Sequence, residues 1–420
     1  MEKKSFVSVV DNYFNRFNTF SKLIDEPISN DLSIIVVIPS YNEIDVVDSI
    51  KSLLSCTFSK LIVEVLIVVN HSKGASSEIV ELSEKNLIDL NNLSKTNKKN
   101  NITILPIYIN DLSKKHAGVG WARKIGMDEA LRRFQKINVD GVIVGFDADS
   151  KVDINYFNEI NHFFKDNSKL GASIYFEHPI KGTEYSSEQL FYITCYELHL
   201  RYYKNALKYC GLPYAFHTVG SSFAVRASAY AKQGGMNRRK AGEDFYFINK
   251  IIQGGGFGEI NSTKVIPSSR ISDRVPFGTG RAIKEAFERK TDLTLTYSFE
   301  IFNSLKIWIE LIKSGEYDYH LFPVFIKDFF DESDWKQSFN QLKSNTNSSK
   351  AFLKRFFAKY DAFWVLKFVH FSRDNFLNDS SLFKNVNAFL FSEYKTRLDN
   401  VSEQLNFLRE VDKKQKKRDS

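Results

Sequence analysis

The sequence predicts an α/β fold: a doubly wound, mostly parallel sheet flanked by helices, followed by a mainly α-helical C-terminal region. Three observations predict it. Short aliphatic, β-branched runs alternate four times with stretches of helical apolar spacing in the first 150 residues. The runs lack polar alternation, as strands buried on both faces do. From about residue 276 onward the apolar residues recur at helical spacing alone.

Taken in order, residues 1–30 read as a helical lead-in. Ile34–Ile38 is the first strand, ended by Pro39, and Ile44, Val47, Ile50 and Leu54 recur at helical spacing after it. Val63–Val69 is the second strand. The Asn- and Lys-rich stretch 84–101 reads as a loop or helix end. A third strand lies at Ile102–Ile107, and Met127, Leu131 and Phe134 mark a helix face before the fourth strand, Val142–Phe146. The pattern then loosens. Ala172–Phe176 and Val219–Arg226 read as strands, and Gln189–Lys208 and Phe245–Gln253 as helices. Ile301, Leu305, Trp308 and Ile312 form one stripe, and Phe352, Phe356, Phe363 and Trp364 share another candidate helix. These patterns divide the chain into a lead-in (1–30), an α/β domain (31–275), a helical region (276–410) and a basic tail (411–420) read as disordered.

Hydrophobic residues at 43% and charged residues at 26% are ordinary for a globular protein and disfavour disorder or many membrane spans. The net charge of +8 suits an anionic small ligand, an anionic membrane surface or nucleic acid. No basic helix with a nucleic-acid motif occurs, which sets nucleic acid last. Three cysteines without CxxC spacing argue against a disulfide framework or a structural zinc site. The N-terminus lacks the apolar core of a signal peptide, and no run of roughly 18 apolar residues occurs. The expectation is a cytoplasmic protein, with peripheral contact to the inner face of a membrane as the alternative.

In doubly wound sheets, ligands bind outside the carboxyl ends of the strands, so the residues after each strand carry the functional reading. Pro39-Ser40-Tyr41-Asn42-Glu43 follows strand one. Tyr41 can stack on a base, and Glu43 can accept from a base N–H or a ribose hydroxyl; the competing reading is a plain turn with Asn42 as helix cap. Residues 117–124, AGVGWARK, open the helix before strand four. Gly118 and Gly120 permit close backbone approach, and Arg123 and Lys124 add charge at an anion-attracting helix start; a solvated basic face is the alternative. Asp147 and Asp149 follow strand four. Two carboxylates at a strand end repel unless a cation or hydrogen bonds offset them. A hard divalent cation, Mn²⁺ or Mg²⁺, takes such oxygens and bridges to substrate phosphates. Glu243 and Asp244 open a helix, where they read either as dipole-matched capping acids or as an acceptor-orienting acid and a general base. Arg270, Arg274 and Arg281, with the Gly278-Thr279-Gly280 turn, could clamp a diphosphate or an anionic acceptor. An inter-domain linker with surface arginines is the preferred reading there, since no pattern shows which arginine turns inward.

Together these residues resemble the family 2 glycosyltransferases of the GT-A fold. The matching segments are IIVVIPSYNE (34–43), AGVGWARKIG (117–126), DAD (147–149), GSSFAVRASAYAKQGGM (220–236) and GED (242–244), in the family's order. The resemblance covers about 31–270. It implies that Pro39, Tyr41 and Glu43 lie by the nucleotide base, that Gly118 and Arg123 serve the donor, and that Asp149 is the main metal ligand with Asp147 nearer the ribose. It places Gly234-Gly235 by the acceptor and makes Asp244 the base of an inverting transfer, with Glu243 orienting the acceptor.

Two departures qualify it. The family carries a base-contacting acid after strand two, where this chain has Asn70, so the uracil of a UDP-linked donor is less firmly implied. The QxxRW pattern of processive members is absent, which points to single-sugar addition. The expected partners are a nucleotide-sugar donor and a hydroxyl acceptor, lipid-linked or polysaccharide. Competing classes are a sugar nucleotidyltransferase, which needs a Gly-rich basic loop where PSYNE stands, and a non-catalytic sugar-nucleotide-binding protein. For the aromatic C-terminal helices, packing of their own core is favoured over acceptor or membrane docking.

Overall fold

The structure, a computed structural model, describes residues 5–17, 20–58, 60–114, 117–237, 242–272, 274 and 278–414. The sequence features at Asp273, at 275–277 and in the tail beyond 414 lie outside the described residues. Two compact units emerge, one of residues 1–185, 218–284 and 412–420, the other of 186–217 and 285–411.

The first unit is built on an eight-stranded mixed sheet, ordered β3-β2-β1-β4-β7-β6-β8-β5. The strands are β1 (Leu32–Ser40), β2 (Ile62–Ser72), β3 (Ile102–Leu112), β4 (Val142–Gly145), β5 (Lys151–Val152), β6 (Gly171–Phe176), β7 (Phe223–Arg226) and β8 (Phe257–Ile266). The first four are parallel, and β7 joins them antiparallel to β4. The helices of this unit are α1 (Phe6–Phe17), α2 (Val46–Ser55), α3 (Ser77–Thr96), α4 (Val119–Ile137), α5 (Tyr156–Phe163), α7 (Ala227–Lys232) and α8 (Glu243–Gln253); α6 (Ser187–Tyr209) belongs to the second unit. The α/β class and the helical C-terminal region are as expected.

The apolar runs of β1 and β2 are buried on both faces, so helices must cover both. On one face α4 lies so close that a Cβ on Gly126 would sit 2.5 Å from Val37 Cγ1, and only glycine fits. Pro39 does not end β1. It pairs with Val68, and the strand runs on to Ser40. The reason is directional: Val37 accepts from Phe146 N–H at 3.1 Å, so Pro39, two residues on, faces the same side, where β4 has already ended. Its missing donor costs no ladder bond.

Other corrections follow from packing. Most of the polar stretch 84–101 is helical, because α3 buries a narrow stripe of Ser83, Asn86 and Leu90 in which only Leu90 is apolar. Ile44 lies outside α2 and is exposed. Strand β8 escapes sequence reading because its burial is mixed rather than continuous.

Helix α4 is buried nearly all round, and Arg123, Lys124, Asp128 and Arg133 on it are buried and paired rather than solvated. Arg133 grips Glu64 of β2, with Nη2 to Oε1 at 2.6 Å. Lys124 Nζ donates to Asp128 Oδ2 one turn along its own helix and to Tyr13 Oη of α1, each at 2.8 Å. Tyr13 and Tyr230 both donate to Asp128 Oδ1 at 2.7 Å. This buried cluster joins α1, α4 and α7.

The second unit contains α6, α10 (Phe299–Ser314), α11 (Val324–Phe329), α12 (Glu332–Ser344), α13 (Ser349–Lys359), α14 (Ala362–Asn375), α15 (Leu382–Tyr394) and most of α16 (Val401–Lys414), with a ribbon of β9 (Leu295–Thr296) and β10 (Ser380–Ser381). Helix α9 (Thr279–Phe287) spans the end of the first unit and the start of the second. The stripe Ile301, Leu305, Trp308 and Ile312 is buried, and the Trp308 ring meets Phe322, Phe330, Phe356, Tyr360 and Trp364. The aromatic residues thus pack a core of their own. Phe352 and Phe356 lie on α13, whereas Phe363 and Trp364 lie on α14, because the Asp361 side chain accepts from the N–H groups of Phe363 and Trp364 and starts a new helix. Among the described residues, no helix is long and apolar enough to cross a membrane.

Candidate active site

The sheet order reverses beside β1: β2 and β3 lie on one side of it and β4 on the other. That reversal puts the carboxyl ends of β1 and β4 at the switch point, the place where open α/β sheets bind ligands. The loops at this point carry Ser40–Asp45 and Asp147–Ser150.

After β1, Asn42 adopts a φ of 47°, a left-handed conformation that asparagine tolerates. Asp45, not Asn42, stands at the N-cap of α2. The tight turn directs Glu43 inward, and it is 2% exposed. The Glu43 carbonyl accepts from Asn86 Nδ2 at 2.6 Å, and Oε1 accepts from Asp45 N–H at 3.0 Å. Oε2 accepts from both Arg270 and Arg274. Tyr41 is half-buried beside it, and Pro39 is buried within the strand.

After β4, Ser150 N–H donates to the Asp147 carbonyl at 3.1 Å, and Ser49 Oγ donates to the Ala148 carbonyl at 2.8 Å. This turn holds the two acids side by side. Asp147 Oδ1 accepts from Arg123 Nη2. Asp149 Oδ2 accepts from Arg270 Nη2 at 3.0 Å and from Arg274 Nη2 at 3.3 Å. The second oxygens, Asp147 Oδ2 and Asp149 Oδ1, take no hydrogen bond from the described residues.

Gly118 is the N-cap of α4, and one turn later the buried Arg123 bridges Asp147 to Glu243 in the first turn of α8. A Cβ on Gly220 would collide with the Arg123 guanidinium, so a larger residue there would displace that side chain. Gly242, at φ 68°, is the N-cap of α8, and Asn237 Nδ2 donates to the Glu243 carbonyl at 2.9 Å. Asp244 Oδ1 accepts from Phe245 N–H at 2.7 Å. Gly234 and Gly235 have left-handed φ values of 79° and 67°, and Gly235 lies against the Tyr13 hydroxyl.

Among the described residues, ion pairs join five carboxylates (Glu43, Asp45, Asp147, Asp149 and Glu243) to three guanidiniums (Arg123, Arg270 and Arg274), and the charge of Asp244 acts on Arg123 as well. Burial pushes the Asp149 carboxyl up to about 6; repulsion from Asp147 and Glu43 adds to it, and Arg270 and Arg274 oppose it. Burial likewise pushes Glu243 up to about 7 against the pull of Arg123, with Asp244 and Asp147 adding to the rise. Asp244 is raised by burial as well, again opposed by Arg123. Glu43 goes the other way: burial would raise it, but the two guanidiniums outweigh that and hold it below the usual carboxylate range.

Among the described residues, no group of three or more His, Cys, Asp or Glu side chains is placed to hold a metal ion. A cation here would have two protein oxygens to take, Asp147 Oδ2 and Asp149 Oδ1, a set of the size that Mg²⁺ uses when a substrate supplies the rest. Phosphate oxygens and water would complete the coordination, as is usual for Mg²⁺ and similar ions.

The structure therefore brings together Glu43, Arg123, Asp147, Asp149, Glu243 and Asp244. It adds Asp45 and turns Arg270 and Arg274 inward, where linker arginines were the preferred reading. Nothing local marks those pairings, which join residues 121 to 231 positions apart. At the end of β2, Asn70 is fully buried, and neither amide atom has a partner among the described residues.

No protein-family model matches the chain, and no curated protein sequence matches it. Among solved structures, the chain is similar to residues 1–349 of S. aureus TarS in complex with UDP-GlcNAc, at 11% identity over 66% of this chain and 72% of that one, with a TM-score of 0.37. The same protein with UDP is 12% identical over 91% and 88%, with a TM-score of 0.33. GalNAc-T7 with UDP, GalNAc and Mn²⁺ is 15% identical over 83% of this chain and 59% of that one, at 0.37. At these TM-scores the likeness is loose and identifies neither family nor substrate.

Proposed function

We propose that the chain is a metal-assisted glycosyltransferase that moves one sugar from a nucleotide-diphosphate donor to a hydroxyl acceptor with inversion. The observation that carries this reading is one buried arginine shared by acids of two distant segments: Arg123 pairs with Asp147 after β4 and with Glu243 at the start of α8, where Asp244 adds its charge.

The roles follow from position and charge. Asp149 and Asp147 would hold Mn²⁺ or Mg²⁺ through their free oxygens, and a bound cation neutralises charge on the departing diphosphate. Tyr41 offers a stacking face to the base. Asp244 takes the acceptor O–H proton as that oxygen bonds to the anomeric carbon and the bond to the diphosphate oxygen breaks on the opposite face. Glu243, held by Arg123, orients the acceptor. Burial raises the Asp244 carboxyl above its ordinary value, which is the direction a general base needs.

A calorimetric screen of sugar nucleotides with Mn²⁺ tests the reading. At least one nucleotide-diphosphate sugar should bind in a cation-dependent way, and its sugar should be transferred with inverted anomeric configuration. Retention of configuration, or absence of cation-dependent binding across the panel, would refute it.

A further inference from the structure

Asp149 already has cationic partners. Its Oδ2 lies 3.0 Å from Arg270 Nη2 and 3.3 Å from Arg274 Nη2. Both arginines also hold Glu43 Oε2, and Arg270 Nη1 reaches Asp45 Oδ2 at 2.6 Å. Arg274 Nε donates to Ser272 Oγ at 3.0 Å. Glu43, buried and pinned by Asn86 and the Asp45 amide, is a fixed pivot. Asp149 is the more exposed partner of the two acids, its side chain 21% exposed against 2% for Glu43.

We propose that Arg270 and Arg274 bracket Asp149 while the donor is absent, and exchange it for the donor's diphosphate, so that cation and nucleotide enter as one complex. This rests on the transferase reading above. Three physical points support it. A divalent cation at Asp149 meets two guanidiniums on the same carboxylate, and like charges a few ångströms apart in a partly buried site repel strongly. A diphosphate reverses that repulsion, because it neutralises the cation and gives each arginine a fork-matched acceptor. Glu43 keeps both arginines at the site after Asp149 is released, so the exchange needs side-chain rotation rather than new anchoring.

The consequence is a pair of opposite effects from one substitution. Arg274→Gln removes a competitor for Asp149 and also a ligand for diphosphate. Mn²⁺ binding to the full chain can be followed by electron paramagnetic resonance, alone and with inorganic pyrophosphate, a probe that does not depend on the base. Relative to wild type, Arg274→Gln should bind Mn²⁺ alone about fivefold more tightly and Mn²⁺-pyrophosphate about tenfold more weakly. Arg270→Gln should show the same pair of signs, which keeps the test available if circular dichroism shows either variant misfolded. Adding Asp149→Asn should abolish the gain in Mn²⁺ affinity. Wild-type binding of Mn²⁺-pyrophosphate with no opposite effects in the folded variants overturns this proposal alone, as does a gain that survives Asp149→Asn. Wild-type protein that takes up neither Mn²⁺ nor Mn²⁺-pyrophosphate overturns both this proposal and the transferase reading.

Discussion

Arg123 joins Asp147 and Glu243 through the two ends of one guanidinium, although Glu243 lies 120 residues further along the chain. The side chain is only 4% exposed, so acids of two distant segments share a single buried cation. Burial alone would lower its pKa, but Asp147, Glu243 and Asp244 together raise it above the ordinary arginine value.

On the proposed reading, Asp149→Ala removes the principal cation ligand and relieves repulsion with Asp147. Isothermal titration of the donor with Mn²⁺ should show a loss of at least about tenfold in affinity, the scale of one charge-assisted contact. Unchanged cation-dependent binding would exclude Asp149 as a ligand.

Asp244→Asn should leave donor binding near wild type and lower kcat by about 10²–10⁴, the usual contribution of a general base. Equal loss of binding and turnover would mark Asp244 as structural. A donor titration beside steady-state kinetics separates the two outcomes.

The Glu243 carboxyl rises from its ordinary 4.5 to about 7 in the fold, chiefly through burial. Between those values the folded chain holds a proton that the unfolded chain has lost, so stability from this group is present at low pH and falls as pH rises towards 7. Glu243→Gln cannot ionise. The melting temperature of the variant minus that of wild type should therefore grow between pH 5 and pH 8, and a flat difference would place the Glu243 titration elsewhere.

Tyr13→Phe deletes a buried hydroxyl that donates to Asp128 and accepts from Lys124. Leaving such partners unsatisfied costs about 1–3 kcal/mol. Urea denaturation should show that loss. No change in midpoint would mean that Tyr230, which also serves Asp128, is sufficient by itself.

Much of this was legible in the sequence. The runs at 34–38, 63–69, 102–107 and 142–146 became β1 to β4, because unbroken β-branched segments have few ways to bury themselves other than as central parallel strands. The rule that ligands sit at strand ends points to Glu43, Asp147 and Asp149 from the sequence alone. Features carried by polar packing were not legible. The buried stripe of α3 holds Ser83, Asn86 and a single apolar residue, Leu90, and leaves no periodic trace. The break between α13 and α14 turns on one Asp361 cap.

The sequence by itself determined the α/β class, the four parallel strands and the acids at their ends, since these depend on side-chain character over a few neighbouring residues. Only the tertiary structure decided which charges meet. Arg123 and Lys124 are adjacent and chemically alike, yet one reaches Asp147 and Glu243 while the other turns to Tyr13 and Asp128. Arg270 and Arg274 read as linker cations until the crossover between β1 and β4 put Glu43 and Asp149 in their path. The physical reason is that an ion pair is set by the route of the backbone through space, and that route is fixed by packing summed over the whole sheet rather than by the residues beside each charge.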